Sequence, residues 1–86
     1  GKVRRQTYDL EYGTDTIEIH EDALSDGDRV VLVDDLLATG GTMEAAALLV
    51  NSLGANLLEQ AFVVELGFLE GIKKLGSAPV RSLVTY

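Results

Sequence analysis

The sequence predicts an α/β fold, a parallel sheet with flanking helices, preceded by a β-hairpin. Three observations carry this. Val30-Val31-Leu32-Val33 is a continuous, mostly β-branched run, the pattern of a strand in a parallel sheet covered on both faces. From Thr42 onward the apolar residues Met43, Ala46, Ala47 and Val50 recur at i, i+3, i+4 and i+7, the period of an amphipathic helix. Ahead of both, two stretches alternate polar and apolar residues around a glycine turn, which is hairpin patterning.

Taken in chain order, Thr7 to Tyr12 alternates with Tyr8, Leu10 and Tyr12 on one side, and Thr16 to Ile19 alternates again after the turn residues Gly13-Thr14-Asp15. Ser25-Asp26-Gly27-Asp28 is a second turn, placed before the apolar run. The run ends at Asp34-Asp35, and the segment Leu36 to Gly41 leads into the helix. Leu53 extends the helix's apolar face, and Gly54 is its stop. A strand is expected from Leu58 to Val64 and a short helix from Phe68 to Leu75. The last turn of that helix carries Lys73 and Lys74, where cations suit the dipole. Gly76 and Pro79 break it, and Val80 to Tyr86 reads as a final strand with Tyr86 packed at its end. Strand–helix–strand–helix–strand after a hairpin implies right-handed crossovers. The expected organisation is one partial domain over residues 1–86, with a flexible-loop hairpin at 1–22 and an α/β core at 29–86.

With 86 residues the chain supports one domain and a modest core, marginal if alone. Cysteine is absent, so disulfides and thiolate metal sites are excluded and a reducing, cytoplasmic setting is expected. No apolar run is long enough to span a membrane. A net charge of −7 argues against a nucleic-acid surface, which needs clustered Lys and Arg. Eight of the 14 acids fall between Asp9 and Asp28, and a solvated hairpin and turn account for most of them.

Chemistry concentrates in Val30 to Thr42: a strand, two acids at its end, a loop of small residues, and a helix start. In open α/β sheets ligands sit outside the carboxyl ends of the strands, where this loop falls. Gly40 and Gly41 let a ligand approach the main chain closely. Successive N–H groups with a helix N-terminus behind them make a concave anion site, and Thr39 and Thr42 add hydroxyl donors. Asp34 and Asp35 would repel a phosphate. They suit two neighbouring sugar hydroxyls, or a hydrated Mg²⁺ that the ligand also binds. Turn and N-cap chemistry alone would explain a bare Asp-Asp, but not an acid pair set between a buried strand and Ala-Thr-Gly-Gly-Thr.

Val30 to Thr42 resembles the phosphoribosyl pyrophosphate (PRPP) signature of type I phosphoribosyltransferases. The wording Val-Asp-Asp-Leu-Leu-Ala-Thr-Gly-Gly-Thr is similar to the adenine-specific branch, as are Tyr8-Asp9-Leu10-Glu11-Tyr12-Gly13 and Ile17-Glu18-Ile19-His20. The resemblance runs through most of the chain and implies the C-terminal portion of that Rossmann-like fold. It implies that Asp34 and Asp35 bind the ribose hydroxyls. Ala38, Thr39, Gly40, Gly41 and Thr42 would then bind the 5′-phosphate. The implied reaction is adenine plus PRPP giving AMP and pyrophosphate, in purine salvage, with Mg²⁺ held mainly by PRPP or pyrophosphate and no direct protein metal site. By the same resemblance Glu11 manages the proton on the purine ring and Tyr12 is the neighbouring aromatic of the mobile loop. From the residues alone, Glu11 is an exposed hairpin carboxylate and Tyr12 a core-facing aromatic on the strand. His20, the only histidine, is expected at a surface or strand end.

The family's base-binding segment and pyrophosphate loop, which belong to the N-terminal half of the fold, are missing from this sequence. Gly1-Lys2 resembles the Gly-Lys before the family's catalytic loop, with fewer residues than usual before Tyr8. The chain alone is expected to be inactive, and the complete enzyme a homodimer. Two other readings stand beside the enzyme: a non-catalytic PRPP-binding regulatory module of the same fold, and a remnant that binds little. Glu11 favours the enzyme, and an incomplete sheet would leave an exposed strand edge.

Overall fold

The computed structural model describes the whole chain, Gly1–Tyr86. Strands β1 (Val3–Asp9) and β2 (Thr14–His20) form an antiparallel hairpin. After it come β3 (Arg29–Leu37), helix α1 (Gly41–Ser52), β4 (Asn56–Glu65), two short 3₁₀ turns (Gly67–Leu69 and Gly71–Lys74) and β5 (Val80–Thr85). The order β3-β4-β5 is a wholly parallel three-stranded sheet, separate from the hairpin.

One face of that sheet is covered by α1. Leu37, Met43, Phe62 and Leu75 are buried together there, with Leu32 and Val80 packed against them. Burying side chains of this kind contributes about 1.5–3 kcal/mol each, the main favourable term for a chain this small. The opposite face is bare. Val33 is 74% and Leu83 73% exposed, and Val31 and Val63 are about half exposed. The apolar run of β3 therefore has the composition of a strand covered on both faces, while within this chain only one face is covered.

Several boundaries differ from the sequence reading, each for a long-range reason. Asp34 to Leu37 remain in β3 because the ladder to β4 continues, Asp34 opposite Phe62, Leu36 opposite Val64 and Leu37 opposite Glu65. β1 stops at Asp9, and Leu10 to Gly13 form the turn, closed by the Leu10 N–H donating to Gly13 O at 2.9 Å. The buried side of α1 is Gly41, Met43, Ala45, Leu49 and Val50 rather than the stripe through Ala46 and Ala47. Sandwiched between sheet and hairpin, the helix buries a wider arc than one stripe. Gly54, at φ 79°, follows the helix as expected. Residues 68–75 are not one helix: Glu70 adopts φ 56° and splits the segment into the two 3₁₀ turns. Tyr86 is 73% exposed, so its backbone ends the sheet while its ring does not pack.

The hairpin is fastened lengthwise along α1. Near one end of β1, Arg4 donates to the Ser52 carbonyl at the C-terminus of α1, where a cation also meets the negative end of the helix dipole. Near the other end, Tyr8 and Asp9 lie against Gly41. A Cβ there would stand 3.3 Å from the Asp9 carbonyl and 3.4 Å from the Tyr8 ring. The cross-strand pair Arg5–Glu18, at 2.6 Å, holds the hairpin's own register.

Candidate functional site

β3 delivers Asp34 and Asp35 near its carboxyl end, and the chain then bends through Ala38, Thr39 and Gly40 into α1. Gly40 is the N-cap, with φ 89°, and no side chain caps the helix. The first N–H groups of a helix lack intrahelical partners, so this end presents unclaimed donors to the loop's concavity. The Glu44 N–H closes the first turn onto Gly40 O at 2.9 Å. Gly40 and Gly41 are buried, Ala38 is half-buried, and Thr39 and Thr42 are exposed at the rim.

Together these residues line a cavity of about 70 Å³, walled also by Asp34, Leu36, Leu37, Met43 and Phe62. A water molecule occupies about 30 Å³ of liquid, so the space suits a group of a few heavy atoms such as a phosphate. All of Ala38 to Thr42 is thus gathered at one place with Asp34. Asp35 is exposed and does not line that cavity; its backbone N–H donates to Asp34 Oδ1 at 2.8 Å. The two acids therefore differ: Asp34 is half-buried and anchored to the main chain, Asp35 open to solvent.

Glu11 lies in the hairpin turn rather than on a strand. It lines a cavity together with Asp9, Leu10, Leu69, Lys74 and Thr39 of the loop. The lengthwise fastening of β1 on α1 is what carries Glu11 to the loop, because β1 runs from the helix C-terminus towards its N-terminus. Tyr12 is 88% exposed, which excludes the core-facing alternative. His20 is exposed on the last residue of β2, as expected.

Two contributors escaped the sequence reading. Phe62 floors the loop cavity because β4 pairs it with Asp34, a register that no local pattern announces. Gly71 packs its backbone against the loop. A lone glycine inside a helical pattern was the available signal, since such a residue commonly marks a close packing contact.

A loop of Ala-Thr-Gly-Gly-Thr whose two glycines are buried, at the end of a parallel strand with an uncapped helix behind it and a carboxylate beside it, marks an α/β protein with a small polar pocket at the carboxyl end of its sheet. Residues 2–80 match the phosphoribosyl transferase domain model, and the chain belongs to that family. Within the family it is 58% identical over 85 residues to the adenine phosphoribosyltransferase of Citrifermentans bemidjiense, covering 99% of this chain and 50% of the relative. The structure of the adenine phosphoribosyltransferase from Thermoanaerobacter pseudethanolicus superposes with a TM-score of 0.95 at 52% identity, over 99% of this chain and 49% of that one. The Saccharomyces cerevisiae adenine phosphoribosyltransferase is similar at 51% identity and a TM-score of 0.93, over 96% of this chain and 47% of that one. Its structure holds adenine and D-2,5-dideoxy-2,5-imino-altritol 1,6-bisphosphate. The chain spans about half the length of the curated relatives it matches, their C-terminal half.

Proposed function

We propose that this chain is the PRPP-binding half of an adenine phosphoribosyltransferase, which joins adenine to the ribose phosphate of PRPP and releases pyrophosphate, salvaging the free base as AMP. The observation that carries the reading is the single cavity in which the Ala38–Thr42 loop, the uncapped start of α1 and Asp34 converge. The 5′-phosphate sits in the loop, and Asp34 and Asp35 accept hydrogen bonds from the ribose hydroxyls. Charge develops at the anomeric carbon as the bond to pyrophosphate breaks, so the chain's task is to fix the sugar between these anchors. Glu11, in the turn beside Thr39, takes the proton that the purine ring must lose. Tyr12 flanks it as the exposed aromatic of that turn.

Mg²⁺ would enter held mainly by PRPP or pyrophosphate, because the ion typically keeps several waters and takes phosphate oxygens, and the chain has no cluster of three or more ligating side chains to hold it directly. When bound with the diphosphate, it would neutralise charge on the leaving group. The bare apolar face of the sheet supports a further element of the proposal, that the remaining half of the fold covers it and contributes the base and pyrophosphate contacts. A homodimer and a cytoplasmic setting go with the reading, since a substrate with this many charges does not cross a bilayer unaided.

The test compares the 86-residue chain with the same chain joined to the N-terminal half of the Citrifermentans relative, each given adenine, PRPP and Mg²⁺. AMP is expected from the joined protein alone. Turnover by the purified short chain would show that the site is complete without its other half. A joined protein that binds PRPP and AMP without turnover would make this a regulatory module instead.

A further inference from the structure

We infer that Gly71 is a positioning residue for the 5′-phosphate loop, acting through backbone contact alone. The inference rests on the proposed phosphate site and adds the part of the fold that holds that site in shape. Gly71 lies in the second connection at the carboxyl end of the sheet, after β4, and is buried. A Cβ on it would collide with the Ala38 carbonyl oxygen and come within 3.0 Å of the Thr39 carbonyl carbon and 3.1 Å of that of Ala38. The contact is reciprocal: a Cβ on Gly40 would stand 2.5 Å from Gly71 O. Real Cβ atoms essentially never approach other atoms so closely. Two main chains, remote in sequence, therefore touch with no side chain between them.

The turn that presents Gly71 is held in a conformation with a cost. Glu70 is the only non-glycine residue with positive φ, at 56°. Left-handed backbone is unfavourable for such a residue and persists where surrounding structure imposes it, commonly next to functional sites. Here the Glu70 N–H bonds Gly67 O at 3.0 Å, the Lys73 N–H bonds Glu70 O at 3.1 Å, and the adjoining Leu75 belongs to the buried core. The turn is thus tied to the core, and it forms the wall behind Ala38, Thr39 and Gly40. Phosphate recognition by N–H groups depends on their directions, so a loop pushed outward by an added methyl keeps its residues but loses its aim. Gly71 touches neither phosphate nor sugar and works only through the loop.

The experiment uses the complete enzyme, this chain joined to the half its relatives carry, and measures the affinities of AMP and of adenosine, which lacks the phosphate. In Gly71→Ala the AMP dissociation constant and the KM for PRPP should rise at least about tenfold, the equivalent of about one charge-assisted hydrogen bond. Adenosine binding should stay at its wild-type value. Equal losses for AMP and adenosine, or no loss, would overturn the inference, because general damage does not distinguish the two ligands. A second pair of variants covers the case in which Gly71→Ala fails to fold. Glu70→Val, whose branched side chain resists left-handed backbone, should weaken AMP selectively, while Glu70→Gly keeps the turn and wild-type AMP affinity. Both remove the Lys73–Glu70 ion pair, so that exposed contact cannot explain a difference between them. Equal AMP affinity in the two would overturn the inference as well. A wild-type enzyme binding adenosine as tightly as AMP would instead sink the phosphate site itself.

Discussion

Changing Asp34 and Asp35 together to asparagine tests the ribose assignment with little disturbance to the fold. Asp34 Oδ1 accepts the Asp35 N–H at 2.8 Å, and an asparagine oxygen can accept the same bond. Asp35 is exposed, so its replacement leaves nothing buried and unpaired. The structural cost should therefore be small. The binding cost should not be. A hydrogen bond to a charged group contributes about 1.5–3 kcal/mol and a neutral one about 0.5–1.5, a difference of about 1 kcal/mol for each acid. Two such losses total about 2 kcal/mol, or about 30-fold in AMP affinity.

The assay is calorimetric titration of AMP into the complete enzyme, with circular dichroism and a thermal melt as controls for folding. Repeating the titration with 2′,3′-dideoxy-AMP closes a cycle. The wild type should lose affinity for the dideoxy compound, and the double variant should lose much less, since its partners for those hydroxyls are already weakened. Unchanged AMP affinity in a folded double variant would refute the reasoning and leave the acids as a strand-end device.

Two further outcomes follow from packing. Leu37→Ala removes a side chain 1% exposed, wedged among Met43, Phe62 and Leu75 beneath the loop, and should destabilise by about 2–5 kcal/mol in urea titrations. A loss below about 1 kcal/mol would mean that the core under the loop is not closely packed. Val33→Lys with Leu83→Lys, on the bare sheet face, should leave the short chain's helix and strand content intact and reduce its binding of a hydrophobic dye. The same pair should destabilise the complete enzyme, where it would bury two charges; equal stability there would show that nothing covers this face.

Much of the fold was legible because its signals are local. The β3 run, the hairpin turn at Gly13, the helix from Gly41 and the loop Ala38–Thr42 each announce themselves within a few residues. What failed was set by partners elsewhere in the chain. β3 continues past its apolar run because β4 keeps pairing with it, so Asp34 and Asp35 sit in a strand rather than after one. Residues 68–75 have helical spacing, but Glu70 and Gly71 are bent to meet the loop. Tyr12 alternates correctly for a strand, yet its segment is the turn.

The sequence by itself determined the family and the residues on which the proposed site rests: small residues that allow a close main-chain approach, and two carboxylates ahead of them, in an order that belongs to phosphoribosyltransferases. Only the tertiary structure decided which groups stand around that loop. Arg4 at one end of α1 and Tyr8 at the other carry Glu11 to Thr39, Phe62 comes beneath Asp34, and Gly71 backs Ala38. The physical reason is that a loop's own residues set which donors it offers. Contacts between segments tens of residues apart arise only when the sheet, helix and hairpin close on one another.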